Sequence, residues 1–235
     1  MGNLPMSAIS QSPDTRCARF HDTSQEDLFA QRRAGAELLD AMHALQRNGR
    51  SVLTELLAPA VSMNSWDHYP EPEVFDRETG YRYYYHSHPN PAAKGEHGHF
   101  HLFARVGDKG GEPAFTHLLA IGMTATGLPR RAFTTNRWVT GEHWRPAAEV
   151  ARLLTRFQIQ RPRRLRLAHR WLEALLRLFR PQLALLIRRR DERCTALLED
   201  RPGLLEDRRT TLFSQCPLDL VRQFARLDRF TPATP

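Results

Sequence analysis

The chain is poor in lysine and in cysteine. Of its 34 basic residues only Lys94 and Lys109 are lysines; the others are arginine. A guanidinium keeps its charge at any pH of interest and forks onto carboxylates and phosphates, so this surface favours fixed, bidentate contacts. The three cysteines, Cys17, Cys194 and Cys216, form no CxxC pair. They are too few and too far apart for a disulfide framework and read as reduced thiols of a cytoplasmic protein. No apolar run approaches the roughly 18 residues that a membrane span needs. Residues 1–20 have no hydrophobic signal core, so export is not expected. There is no P-loop, no dinucleotide-binding glycine fingerprint and no internal repeat.

The remaining composition is that of a globular protein, 41% hydrophobic and 26% charged, with a net charge of +8. The charge is uneven. Residues 151–235 hold nineteen arginines against nine acidic residues, whereas residues 1–150 are slightly acidic. Arginine-rich helices bind nucleic acid or anionic surfaces in some proteins. Here the aromatics are not interleaved with the basic residues as a base-stacking surface would require, and arginines around a core helix usually form a solvated face. Nucleic acid is therefore the minor alternative.

Five histidines fall within sixteen residues: His86 and His88, then His97, His99 and His101. Residues two apart in a strand share a face. Residues 81–88 and 97–106 read as strands joined by a loop containing Pro89, Pro91 and Gly95, a hairpin signal. Symmetric pairing puts His88 opposite His97, His86 opposite His99 and Tyr84 opposite His101. Opposed Cβ atoms lie about 4.5–5.5 Å apart, so five imidazoles gather on one face with Tyr84 and Arg82 beside them. Phe100, Leu102, Ala104 and Val106, with Tyr81, Tyr83 and Tyr85, form the opposite, apolar face. Strand alternation points Glu96 away from the cluster unless the strand begins later.

Such a patch can supply the three or four ligands of a transition-metal site. The best three are His88, His97 and His99. His86 is the next ligand, and His101 is a supporting group or alternative ligand. All-nitrogen sites suit Zn, Cu, Fe or Ni, of which Fe, Cu and Zn are the expected metals. Tyr84 could act as an acid/base or redox neighbour, and Arg82 and Arg105, on the same face, could hold an anionic substrate by bidentate hydrogen bonds. Two plainer readings stand beside this one: surface histidines on a polar strand face, and a hydrogen-bonded or pH-responsive network without metal.

The string Tyr-Tyr-Tyr-His-Ser-His at 83–88, followed by Glu-His-Gly-His-Phe-His-Leu-Phe at 96–103, resembles a pattern in a bacterial family of unassigned function. The similarity covers about residues 66–145 and, more loosely, the C-terminal helices. It implies a shared fold and a shared site, and gives no activity.

Along the chain, residues 1–22 are expected to be disordered and 23–235 to form a single α+β domain. Thr23 and Glu26 fit a capping box for a helix over 24–47, and residues 51–57 a second, short helix. Residues 64–80 read as an aromatic and acidic loop; either its Asp67-His68-Tyr69 lines the site or its Trp66 and Tyr69 plug the edge of the core. Strands follow at 81–88, 97–106, 115–124 and 132–139, a four-stranded antiparallel meander. His117 falls on an apolar face and is expected to be buried and hydrogen-bonded, reaching the site only if the sheet curls. From 146 the pattern is helical, and these arginine-rich helices cover one side of the sheet. The functional expectation is a cytoplasmic metalloprotein, more an enzyme than a store, oxidising or hydrolysing a small anionic molecule. The alternatives are a non-enzymatic metal or ligand binder and a nucleic-acid-binding protein.

Overall fold

Alternating residues of two tyrosine- and histidine-rich strands commit one sheet face to a core and leave the other polar. A computed structural model of the protein describes residues 24–57, 63–88, 95–161 and 163–230. The segment expected to be disordered, Cys17 and Thr23 lie outside the described residues.

The elements run α1 (Gln25–Arg47), α2 (Val52–Leu56), β1 (Tyr69–Asp76), β2 (Tyr81–Ser87), β3 (Gly98–Lys109), β4 (Glu112–Met123), β5 (Pro129–Thr135), α3 (Arg137–Thr140), α4 (Ala147–Thr155), α5 (Arg166–Leu178), α6 (Arg180–Leu198), β6 (Leu212–Pro217) and α7 (Leu220–Asp228). The mixed fold and antiparallel sheet agree with expectation, but the sheet has six strands in the order β1-β2-β3-β4-β5-β6, not four. The two extra strands are the edges. β1 lies within the stretch read as a loop, because Pro70 and Pro72 lower its strand signal; prolines are tolerated at an edge, where a missing N–H breaks no internal ladder. β6 arrives after the helices and is specified by pairing with β5, not by alternation of its own. The expected strand 132–139 is cut at Thr135, where Asn136 caps α3 by accepting from the Arg137 N–H at 2.7 Å.

The cap of α1 is Ser24, one residue beyond the expected Thr23. Ser24 Oγ accepts from the Asp27 N–H at 3.1 Å, which satisfies one of the four orphan donors of a helix start. Ser51 and Thr54 form a reciprocal capping box at α2.

The apolar sheet face packs under α4, α5 and α6, and α1 lies against α5. Tyr81, Tyr83 and Tyr85 of β2, Phe100 and Leu102 of β3, and Leu119, Ile121 and Met123 of β4 are buried in one cluster with Leu38, Trp171, Leu172 and Leu175. The Tyr81 hydroxyl donates to the Leu153 carbonyl at 2.8 Å, so this tyrosine buries its ring without stranding its polar end. Asp76, at the end of β1, accepts from the Gln160 N–H at 2.7 Å and the Glu78 N–H at 3.0 Å. These bonds hold its carboxyl below the usual carboxylate range although burial opposes the shift. They tie the sheet to the chain entering α5.

Candidate metal centre

The pairing of β2 with β3 is the symmetric one: Tyr84 opposes His101, His86 opposes His99 and Ser87 opposes Gly98. Gly98 makes this approach possible. A Cβ there would lie 2.3 Å from the His86 carbonyl oxygen and 2.6 Å from the Tyr85 hydroxyl. The glycine of His-Gly-His is therefore a requirement of the hairpin.

Three imidazoles converge. His86, His88 and His99 each offer a ring nitrogen, and these atoms all lie within 4.8 Å of one another. His86 Nε2 is 2.9 Å and His88 Nε2 is 3.4 Å from His99 Nε2. Nitrogens bound to one ion at about 2.0 Å in tetrahedral geometry would be about 3.3 Å apart. One N–H···N bond can satisfy the His99 lone pair toward one neighbour only, whereas a cation satisfies all three.

His99 is oriented from behind. Its Nδ1 lies 3.2 Å from Glu96 Oε1, and Glu96 Oε2 accepts from Arg131 Nε at 2.7 Å. A carboxylate at Nδ1 fixes the proton there and leaves Nε2 free as a lone pair. β3 begins only at Gly98, so Glu96 is released from strand alternation and swings under His99, the one circumstance in which the sequence admitted it. Space for it comes from Gly122, where a Cβ would sit 2.4 Å from Glu96 Oε2. Arg131 also donates to Gln215 Oε1 at 2.7 Å and stacks on Phe133, which makes it a strut for Glu96. Sequence reasoning missed Arg131. A glycine inside a strand that marks close approach of another group was the available signal.

His97 is turned to the other face. Its Nδ1 lies 2.8 Å from the Tyr85 hydroxyl and its ring stacks on Tyr85. The structure does not bring it together with the other four histidines of the motif. His101, 2% exposed, lies beside the triad with ring centroids 4.8 Å from His99 and 5.2 Å from His86. Its Nδ1 contacts His117 Nε2 at 3.0 Å, and His117 Nδ1 contacts the Thr135 hydroxyl at 3.2 Å. His117 is buried and hydrogen-bonded as expected, and it also reaches this side. A register shift between Leu102/Phe103 pairs Leu102 with Leu119 but Phe103 with His117. The extra residue, Leu118, inverts the alternation.

Tyr84 stacks flat on His68 at 3.7 Å and tilts against His101 at 5.3 Å. Burial pushes its hydroxyl up to about 12. Arg82 is packed over the rings of Phe103 and Phe115 and lies 3.5 Å from Glu73. Arg105 is exposed and forked onto Asp108, at 2.6 and 2.7 Å. Both guanidinium groups are thus already engaged. The 64–80 stretch does line the site: His68 contacts Tyr84 and His86, and Trp66 stands edge-on to His88 at 4.3 Å. Trp66 is 62% exposed with φ 74°, a costly conformation for a bulky residue, and its N–H is held by the Ser87 carbonyl at 3.0 Å. Of the Trp/Tyr plug only the tyrosine half is seen: Tyr69 is buried, whereas Trp66 is exposed.

Electrostatics favour neutral imidazoles. Burial, then the neighbouring His99, His88 and His68, push His86 down to about 3. Burial and His99 lower His88. Burial lowers His99 even though Glu96 pulls the other way, and burial holds His101 well below the ordinary value. Metal ligation needs neutral imidazole, and here no proton has to be displaced near neutral pH.

Fold and site together define an α+β protein whose sheet carries a partly buried, carboxylate-oriented histidine cluster on the face opposite its helical layer. Residues 32–218 match a family described as a domain of unknown function (DUF6969), and the chain belongs to that family. No curated protein and no solved structure matches the chain. Among the described residues no helix is long and apolar enough to cross a membrane.

Proposed function

We propose that the protein binds one divalent transition-metal ion, Zn, Fe or Cu, on the Nε2 atoms of His86, His88 and His99, and uses it to oxidise or hydrolyse a small molecule in the cytoplasm. The observation that carries this reading is the convergence of three imidazole nitrogens within 4.8 Å, one of them oriented by a buried carboxylate. Three protein ligands leave a coordination position for water or substrate, the pattern of catalytic rather than structural sites. The ion would supply Lewis acidity or redox capacity. Tyr84 and His68 are the polar side chains placed to contact a molecule beside the triad. His101, beside the triad, acts as a supporting group in this reading, and His97, held against Tyr85 on the other face, takes no part in it.

A second reading, a non-enzymatic metal binder, draws support from Arg82 and Arg105. The two arginines expected to anchor an anionic substrate are paired within the protein, which weakens the case for an anionic substrate at this face. Metal analysis of the untagged protein beside a His86→Ala/His99→Ala variant tests the common part of both readings. About one equivalent of metal in the wild type, lost in a folded variant, is the expected result. Protein that is metal-free and takes up none of Zn, Fe or Cu would overturn both. Turnover of generic ester, phosphoester or catechol substrates by metal-loaded protein separates enzyme from binder.

A further inference from the structure

On the helical side of the molecule, away from the histidines, α1, α4, α5 and α6 enclose a cleft of about 590 Å³ to which no strand contributes. Five arginines line it: Arg33, Arg152, Arg156, Arg177 and Arg180. Two carboxylates share it. Glu37 bridges two of the guanidinium groups, 2.5 Å from Arg177 Nη2 and 3.8 Å from Arg33 Nε. Glu173 accepts from the Ile159 N–H at 2.9 Å. The remaining charge is unbalanced. Among the described residues Arg180 has only a long, exposed pairing with Asp27 at 3.7 Å. No ion pair with Arg152 or Arg156 occurs among the described residues, and these two, one in the last turn of α4 and the other its C-cap, both line the cleft.

The floor of the cleft is apolar. Leu154, Phe157 and Leu176 line it and are themselves nearly buried. Its volume is in the range of small-molecule sites, which combine an apolar lining with a few charged groups. A basic residue near a helix C-terminus has an ordinary role against the macrodipole, and that could explain Arg156. It does not explain arginines converging from four helices around one apolar hollow. Glu37 shows that a carboxylate fits between guanidinium groups here, and Arg152, Arg156 and Arg180 remain for an external anion.

We propose that this cleft is a second ligand site, distinct from the histidine face, that binds a small anionic amphiphile: a phosphate monoester or carboxylate on an alkyl or aryl body. The headgroup sits against Arg152, Arg156 and Arg180, and the apolar body lies over Leu154, Phe157 and Leu176. The uneven charge of the C-terminal half then has a local purpose in addition to solvation.

The test is calorimetric titration of the full chain with decyl phosphate and with decanoate, each kept below its micelle concentration. Saturable binding of about one equivalent of at least one of them is expected, weakening with added salt. Arg152→Glu/Arg156→Glu should weaken it by about tenfold or more. The charge-matched control Arg188→Glu/Arg222→Glu, at exposed positions paired elsewhere, and the His86→Ala/His99→Ala variant should stay within about twofold of wild type. Arg152→Gln/Arg156→Gln, with the same direction of effect, serves if the glutamate variant does not fold. Absence of saturable binding by both probes overturns the proposal. So does unchanged binding in the folded cleft variant, or an equal loss in the charge-matched control, which would mean diffuse attraction.

Discussion

Replacing Glu96 by glutamine removes one charge and leaves the shape nearly unchanged. Glu96 is 4% exposed and serves two donors, His99 Nδ1 at 3.2 Å and Arg131 at 2.7 and 3.3 Å. An amide keeps one acceptor oxygen and presents an NH2 group in place of the other. Either His99 or Arg131 then faces a donor. Losing a hydrogen bond to a charged group costs about 1.5–3 kcal/mol. Losing the carboxylate behind a ligating histidine typically costs about 10–100-fold in metal affinity, equivalent to about 1.4–2.7 kcal/mol. The two figures agree, so Glu96→Gln should bind Zn(II) about 10–100-fold more weakly while remaining folded. Gly122→Ala should have the same direction of effect with no chemistry of its own, because its Cβ would lie 2.4 Å from Glu96 Oε2 and drive the carboxylate off. The assay is competition against a chromophoric chelator at neutral pH, with circular dichroism as the control for folding. Affinities within about threefold of wild type for both folded variants would refute the claim that this carboxylate tunes His99.

Three further outcomes are expected. Gly98→Ala should melt earlier by an amount equivalent to at least about 2 kcal/mol, since its Cβ would meet the His86 carbonyl at 2.3 Å; an unchanged Tm would contradict the close approach of β2 and β3. His97→Ala should retain full metal stoichiometry, because that ring sits against Tyr85; loss of metal from a folded variant would restore His97 to the ligand set. Acid should destabilise the metal-free protein below pH 6.5. His117 and His169 are held neutral by burial, at about 3 and about 4. Their folded values are depressed, so the unfolded chain takes up protons first as pH falls. Stability is complete above the unfolded value and falls by about 1.4 kcal/mol per pH unit for each histidine until its folded value is reached. Urea midpoints that do not change between pH 7 and 5 would show that these rings titrate normally.

The legible parts of this protein are those written at short range. The His86–His99 register followed from alternation and a loop between the two strands, and the apolar tyrosine face followed from the same period. Three local breaks of that period were not legible. The late start of β3 at Gly98 turns His97 inward and brings Glu96 beneath the triad, and no propensity distinguishes residue 97 from residue 98 as the first strand position. The extra residue at Leu118 moves His117 across the sheet. The prolines of β1 hide an edge strand. Arg131 reaches Glu96, and Gln215 reaches Arg131, through the pairing of β4, β5 and β6, and such long-range contacts leave little trace in local pattern beyond the glycine at 122. The arginines misled in another way. Their fork geometry made Arg82 and Arg105 natural substrate anchors, but Phe103, Phe115, Glu73 and Asp108 already occupy them.

An open six-stranded sheet has two free margins, and each is blunted. β1 carries two prolines and two glutamates in Pro70-Glu71-Pro72-Glu73, so part of its outer row lacks donors and repels strands of like charge. β6 is only six residues long and ends in Pro217. Margins of this kind discourage strand-by-strand polymerisation. Copies of this chain therefore have little means of adding to one another's sheets edge to edge.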